Sequence, residues 1–285
     1  MADAPIFVHN GAEVVSASDA RVPILDHGFL YGDSVYDVVR TANGRPFMLR
    51  EHIDRLRRSA AMIYFELPWS DEEITARLEA VMHAVGPVDA YLRIVATRGP
   101  GPISLLPDGC NEPGLYVIGC ALITYPARQF EEGCHVHVVP RLRNAKSALD
   151  PRAKTGNYLN NMLGMIEAKR EGDDDALFLN AEGHLTEATT ANLWIVKDGA
   201  ILTPPLKAGL LPGLTRDWLF AQRPDAREGT IDRAALDAAD EVFLTGTIKG
   251  VMPVSRIDGR PVGTGTPGPV TCSLMEAYAA ALSSN

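Results

Sequence analysis

Ala153-Lys154-Thr155-Gly156-Asn157-Tyr158 is the stretch whose reading decides the fold. The lysine stands just ahead of a helical pattern in which Leu159, Met162, Leu163 and Ile166 recur at the spacing of one apolar face. Tyr158 lies one helical turn further on. Three more blocks follow: Thr186-Glu187-Ala188-Thr189-Thr190-Ala191-Asn192-Leu193-Trp194, Leu211-Pro212-Gly213-Leu214-Thr215-Arg216, and Thr245-Gly246-Thr247. A lone lysine is ordinarily a solvated surface charge. The order and spacing of the four blocks give this one a different reading.

A primary amine can form an imine with an aldehyde cofactor. Pyridoxal 5'-phosphate needs more than that amine. Its ring nitrogen needs a carboxylate partner to stay protonated, because the pyridinium is the electron sink, and Glu187 offers one. Its phenolic oxygen needs a hydrogen-bond donor, which Tyr158 offers. Its phosphate needs backbone amides at a helix start together with hydroxyls. Gly213-Leu214-Thr215 opening a helix fits that need, and Gly246-Thr247 after a strand offers a second set. An arginine from another element would complete the site.

The whole chain is consistent with a soluble enzyme. At 285 residues, with 46% hydrophobic content, it has room for two ordinary domains. Its formal net charge of -9 and the lack of a basic patch argue against nucleic-acid binding. Cys110, Cys120, Cys134 and Cys272 show neither zinc-site nor disulfide spacing, which suits reduced thiols in a cytoplasmic protein. Met1-Ala2-Asp3-Ala4-Pro5 does not read as a signal peptide. The longest apolar run, Leu115 to Tyr125, reads as a buried strand and is too short to span a membrane.

Taken in order, the chain predicts a hairpin over 6–15 and a glycine-bearing loop over 26–34. A strand follows over 35–41, with Tyr36, Val38 and Arg40 on one face and Asp37 and Val39 on the other. Asn43-Gly44 marks a turn. A helix over 50–63 turns Ile53, Leu56, Ala60 and Ile63 inward and carries Arg50, Arg55, Arg57 and Arg58. Ser70-Asp71-Glu72-Glu73 is a capping box opening the next helix. Strands are predicted over 90–97 and 115–124, the first with Tyr91, Arg93, Val95 and Thr97 on one side. Tyr125-Pro126-Ala127-Arg128-Gln129 is the candidate linker. Strands predominate beyond it, with helices starting at Thr215, Asp232 and Val270. His135 and His137 share a strand face and Asp173-Asp174-Asp175 reads as a solvated turn, so no metal site is expected.

Together these residues resemble the class IV aminotransferases, the fold-type IV pyridoxal-phosphate enzymes, from Val8 to about Val254. Asp54-Arg55-Leu56 resembles the helix that supplies the phosphate arginine. Lys154 matches the Schiff-base lysine, Tyr158 the tyrosine at the phenolic oxygen, Glu187 the glutamate at the ring nitrogen, and Leu211 the leucine packed on the ring. Leu214, Thr215, Gly246 and Thr247 match phosphate-binding positions. The resemblance implies an α/β (α+β) chain: a small α/β domain over 1–124, a linker over 125–129, and a larger domain with a β-barrel-like core, bearing the cofactor lysine, over 130–285. It also implies a cofactor between the domains and a homodimer or higher homo-oligomer.

Tyr31, Tyr36, Arg40, Tyr91 and Arg93 resemble the substrate side of branched-chain amino acid aminotransferases. Val38 stands where those enzymes usually carry glycine, as it does in D-amino acid transaminases. The loop Gly99-Pro100-Gly101-Pro102-Ile103-Ser104-Leu105 lacks the arginine and histidine of a D-amino acid transaminase. Ile248 is bulkier than the small residue common after Thr247. The preferred expectation is transfer of an amino group between a branched-chain or similar apolar L-amino acid and 2-oxoglutarate. Alternatives on the same scaffold are a D-amino acid or (R)-amine transaminase and a 4-amino-4-deoxychorismate lyase. A non-catalytic protein keeping the fold is disfavoured by the intact Lys154, Tyr158, Glu187 and Arg55.

Overall fold

A computed structural model describes residues 5–285; the reading of Met1–Ala4 as no part of a targeting segment lies outside the described residues. The chain forms two compact units. The first takes in the chain up to Ile123, together with Ala153–Asn157 and Leu282–Asn285; the second takes in Thr124–Arg152 and Tyr158–Ala281.

The first unit holds β1 (Phe7–His9), β2 (Val14–Ser16), α1 (His27–Tyr31), β3 (Ser34–Ala42), β4 (Arg45–Pro46), α2 (Leu49–Met62), α3 (Asp71–Val85), β5 (Ala90–Thr97) and β6 (Gly114–Ala121). The strands make an antiparallel sheet in the order β2-β1-β6-β5-β3-β4. The alternation in β3 and β5 sends Val35, Val39, Leu92, Ile94 and Ala96 to one face, where they pack with Ile53, Leu56 and Ala60 of α2 and Ile74, Leu78 and Val81 of α3. Each such side chain stabilises by at most about 1.5–3 kcal/mol. Asn43 and Gly44 both adopt positive φ, as the tight β3–β4 hairpin requires. The α3 capping box forms: Glu73 N donates to Ser70 Oγ at 3.2 Å, and Ser70 N donates to Glu73 Oε2 at 2.7 Å. The loop expected over 26–34 instead contains α1, capped by Asp26, whose Oδ1 accepts from Gly28 N at 2.7 Å.

The second unit holds α4 (Ala127–Glu131), β7 (Cys134–Leu142), α5 (Leu159–Arg170), β8 (Asp175–Leu179), β9 (Leu185–Ala188), β10 (Asn192–Lys197), β11 (Ala200–Thr203), a 3-10 turn at Leu206–Ala208, α6 (Leu214–Gln222), β12 (Arg227–Glu228), α7 (Arg233–Asp237), β13 (Glu241–Gly246), β14 (Gly250–Ile257), β15 (Arg260–Pro261) and α8 (Pro269–Ser283), the last running into the first unit at its end. Six strands close on themselves in the order β10-β13-β14-β7-β8-β9. Pairing of Glu187 with Asn192 joins β9 back to β10. Closure leaves these six strands without a free edge. Val136, Leu177, Leu185, Leu193, Leu244 and Met252 belong to its core.

The structure departs from the sequence reading in four further places. Ala153–Asn157 clusters with the first unit, because Gly156 N donates to Ser34 O at 2.8 Å and Tyr36 N to Lys154 O at 2.9 Å. Residues 125–129 are not a bare linker, since α4 begins at Ala127. Helix α5 is turned the other way: Leu159, Met162 and Ile166 are exposed, and Asn161, Gly164 and Ala168 are buried. A Cβ at Gly164 would overlap the Phe178 ring, so the absence of a side chain there lets the helix approach the barrel. Finally, Asp175 is not solvated. It is buried and ion-paired to Lys249 Nζ at 3.2 Å.

Candidate active site

In the first unit the backbone of Lys154 is fixed from several directions. Its carbonyl takes the Tyr36 amide, its own N–H donates to Ser59 Oγ at 3.0 Å, and Thr155 bridges Val35. The half-buried side chain places Nζ 4.6 Å from the centre of the Tyr36 ring. A flexible lysine is thereby presented from a rigid strand edge.

The face of the sheet opposite α2 carries Tyr36, Val38 and Arg40 on β3. Tyr91 and Arg93 on β5 stand beside them, paired as Arg40–Tyr91 and Val38–Arg93. Of the residues named as substrate-side from the sequence, Tyr36, Val38, Arg40, Tyr91 and Arg93 therefore share one surface, whereas Tyr31 lies on α1 and Ile248 in the second unit. The Arg93 guanidinium stacks over Tyr36 at 3.6 Å. Tyr31 closes α1, edge-on to His27 with ring centres 4.9 Å apart. On the α2 side, Arg55 is buried and ion-paired to Asp37.

In the second unit Glu187 is buried at the end of β9. Its Oε1 accepts from Arg143 Nε at 2.9 Å, and its Oε2 accepts from the Leu211 amide at 3.0 Å. Arg143 is also buried and its Nη1 donates to Asn160 Oδ1 at 3.1 Å. Leu211 is held on its other side by Asn192 Nδ2, which donates to the Leu211 carbonyl at 2.9 Å. Gly213 heads α6 with no side-chain cap, leaving the first-turn amides around Leu214 and Thr215 as donors. A Cβ at Gly213 would overlap Asn192 Oδ1, so glycine is required there. Gly246 ends β13, and Thr247 and Ile248, both half-buried, lie in the turn to β14. Tyr158 precedes α5 as its N-cap and accepts the Met162 amide on its carbonyl.

A buried carboxylate with a cationic partner, uncapped helix amides, hydroxyls and a half-buried lysine match what pyridoxal phosphate requires in ring-nitrogen partner, phosphate donors and amine. A model for the class IV amino-transferase family matches residues 34–257. The chain belongs to the class IV aminotransferases. This aminotransferase is 35% identical over 275 residues to a putative branched-chain-amino-acid aminotransferase of Methanocaldococcus jannaschii, covering 95% of this chain and 94% of that one. It is 31% identical over 287 residues to the branched-chain-amino-acid aminotransferase of Salmonella typhimurium, covering 95% and 91%. Among solved structures, a branched-chain amino acid aminotransferase with pyridoxamine 5'-phosphate superposes with a TM-score of 0.91. It is 32% identical, covering 99% of this chain and 94% of that one. The branched-chain aminotransferase of Thermoproteus uzoniensis with norvaline superposes with a TM-score of 0.87 at 32% identity, covering 98% and 95%.

Sequence reasoning missed Arg143, Asp37, His52 and Asn161. Arg143 follows a strand with no local motif, and its partner is far along the chain. Asn161 Nδ2 donates to the Thr189 carbonyl at 2.7 Å and so ties α5 to the end of β9. Asn161 lies on the face of α5 away from the apolar pattern, so periodicity places it outward and gives no signal of its burial. His137 Nδ1 lies 3.2 Å from both Asp173 and Asp258. Among the described residues no group of three or more histidines, cysteines or acids is arranged to hold a metal ion, and no helix is long and apolar enough to cross a membrane.

Proposed function

We propose that this aminotransferase uses pyridoxal 5'-phosphate to move an amino group between a branched-chain or similar apolar L-amino acid and 2-oxoglutarate. The observation that carries the reading is Glu187, a buried carboxylate held by the Arg143 cation and the Leu211 amide. A carboxylate beside a pyridine nitrogen favours its protonated form. When bound, the cofactor supplies an aldehyde for an amine and an electron sink for the adjoining carbon. Lys154 supplies the amine that engages the aldehyde. Once released, it carries the proton at the substrate's α-carbon. Tyr158 donates to the phenolic oxygen and Leu211 packs on the ring. Arg55, Leu214, Thr215, Gly246 and Thr247 hold the phosphate.

Tyr31, Tyr36, Val38, Tyr91 and Ile248 supply apolar walls for the donor side chain. Arg93, or Arg40, takes the distal carboxylate of the 2-oxo acid. Names of branched-chain enzymes among the relatives support this choice of donor. The working form is a homodimer or higher homo-oligomer in the cytoplasm, with its cysteines as free thiols. Val22, Ile24, Phe29, Ile103, Leu105 and Leu106 are all exposed on segments joined by Asp26–Pro100 pairing and by the Gly101 amide on Leu25. A second copy would cover such a patch.

The test is a panel of amino donors, both enantiomers of each, with 2-oxo acid acceptors. L-leucine, L-isoleucine or L-valine with 2-oxoglutarate should give the fastest transfer. Activity confined to D-alanine, or pyruvate release from aminodeoxychorismate, would overturn the substrate assignment.

A further inference from the structure

Asp37 lies in the middle of β3, on the face toward α2, and its side chain is fully buried. Its Oδ1 accepts from the Val38 amide, His52 Nδ1 and Arg55 Nη2, each at 2.7 Å. Its Oδ2 accepts from Arg55 Nε at 2.8 Å. Burial by itself would raise the Asp37 carboxyl, but Arg55 and then His52 outweigh it and hold the group far below the ordinary carboxylate range. An ionised Asp37 can only accept, so His52 Nδ1 carries the proton it donates. His52 is itself pushed below the ordinary histidine range by burial. Asp37 opposes that shift, and Arg55 and Lys154 add to it. The imidazole is therefore neutral and adds a hydrogen bond without adding charge.

The two parallel bonds commit the Nε–Nη2 edge of the Arg55 fork to Asp37 and so fix the plane of the guanidinium and the direction of its Nη1 corner. An arginine otherwise orders several rotatable bonds on meeting an anion, and pre-ordering removes that cost from binding. Resting on the cofactor reading above, we infer that Asp37 and His52 are positioning residues: through Arg55 they set how tightly the chain holds the cofactor's phosphate. They touch neither cofactor nor substrate. The competing account is that the cluster only staples β3 to α2.

The two accounts separate on a pair of ligands that differ by the phosphate alone. Dissociation constants for pyridoxal 5'-phosphate and for pyridoxal are measured by absorbance on the full chain, with thermal melting alongside. The variants are Asp37→Asn, His52→Phe, His52→Asn, Arg55→Met and the double change Asp37→Asn/Arg55→Met. Asp37→Asn should weaken pyridoxal 5'-phosphate at least tenfold and pyridoxal less than twofold. The double change should bind no more weakly than Arg55→Met alone. His52→Phe should show a smaller loss of the same selectivity, and His52→Asn, which keeps a donor, should restore it. Equal losses for both ligands, or unchanged binding in folded variants, overturn the inference. If Asp37→Asn does not fold, the His52 pair decides. A wild-type chain that binds the two ligands equally removes the phosphate reading itself and the inference with it, whereas failure of the variants alone leaves that reading standing.

Discussion

Arg143 Nε lies 2.9 Å from Glu187 Oε1, and both side chains are buried. Deleting one partner of such a pair leaves an uncompensated buried charge, at a cost of about 3–5 kcal/mol. Arg143→Met should therefore lower the melting temperature and also lower turnover, since Glu187 loses the cation that favours its ionised form. Glu187→Gln should bind the cofactor with little change, because the phosphate contacts remain, yet lose most of its kcat. Melting curves, cofactor titration and initial rates on the two variants check this. A Glu187→Gln enzyme with near wild-type turnover would remove Glu187 from the ring-nitrogen role.

His52 makes the first unit sensitive to acid. Above about pH 6.5 the residue is neutral in both the folded and the unfolded chain. Its folded pKa is lowered. Below that pH the unfolded chain takes up a proton that the fold resists, and stability falls with pH by up to about 1.4 kcal/mol per unit. Asp37, whose folded pKa is also lowered, adds a further loss only below about pH 4. Denaturant melts from pH 7 to 5 should show a shallower decline in His52→Asn than in wild type. Parallel declines would assign the acid sensitivity elsewhere.

Lys249 and Asp175 form a second buried pair, with Lys249 Nζ also 2.9 Å from the Tyr125 hydroxyl. Burial pulls the lysine pKa down, but Asp175, followed by Tyr125, more than offsets it and raises the pKa above the ordinary lysine value. Its stabilisation is therefore complete below about pH 10.4 and fades only as pH rises through the folded value. Lys249→Met should cost about 3–5 kcal/mol at neutral pH. Lys197→Ala, which breaks an exposed pair with Asp240, should leave the melting temperature nearly unchanged. Equal shifts in the two variants would contradict this ranking.

The legible parts of the chain were those with short-range signals. The capping box at Ser70 and Glu73 read correctly because both partners lie within one turn. Alternation groups Tyr36, Val38 and Arg40 on one face of β3 and Tyr91 and Arg93 on one face of β5; the pairing of the two strands joins the sets. What failed depended on residues distant in sequence. The inward face of α5 is set by Gly164 meeting Phe178 and by Asn161 reaching Thr189, so its apolar residues point outward. The anchoring of Arg55 by Asp37 and of Glu187 by Arg143 is invisible to periodicity, because each partner sits on another element.

Arg93 stacks on Tyr36 beside Val38, at the rim of the proposed substrate surface. A charged hydrogen bond to the distal carboxylate of 2-oxoglutarate contributes about 1.5–3 kcal/mol, and burial of a leucine side chain contributes a similar amount without using that bond. Arg93→Ala should raise the KM for 2-oxoglutarate about tenfold or more and the KM for leucine far less, with Arg40→Ala showing a weaker form of the same split. Equal increases for both substrates would make these arginines structural.

The central claim is that Lys154 is the amine that engages the cofactor. Borohydride reduction of the enzyme loaded with pyridoxal 5'-phosphate, followed by peptide mapping, tests it most directly. The account predicts a single phosphopyridoxyl group on the peptide containing Ala153-Lys154-Thr155-Gly156-Asn157-Tyr158. A label on Lys146, Lys169 or Lys207 in place of Lys154, or no label on a chain that has taken up the cofactor, would contradict it.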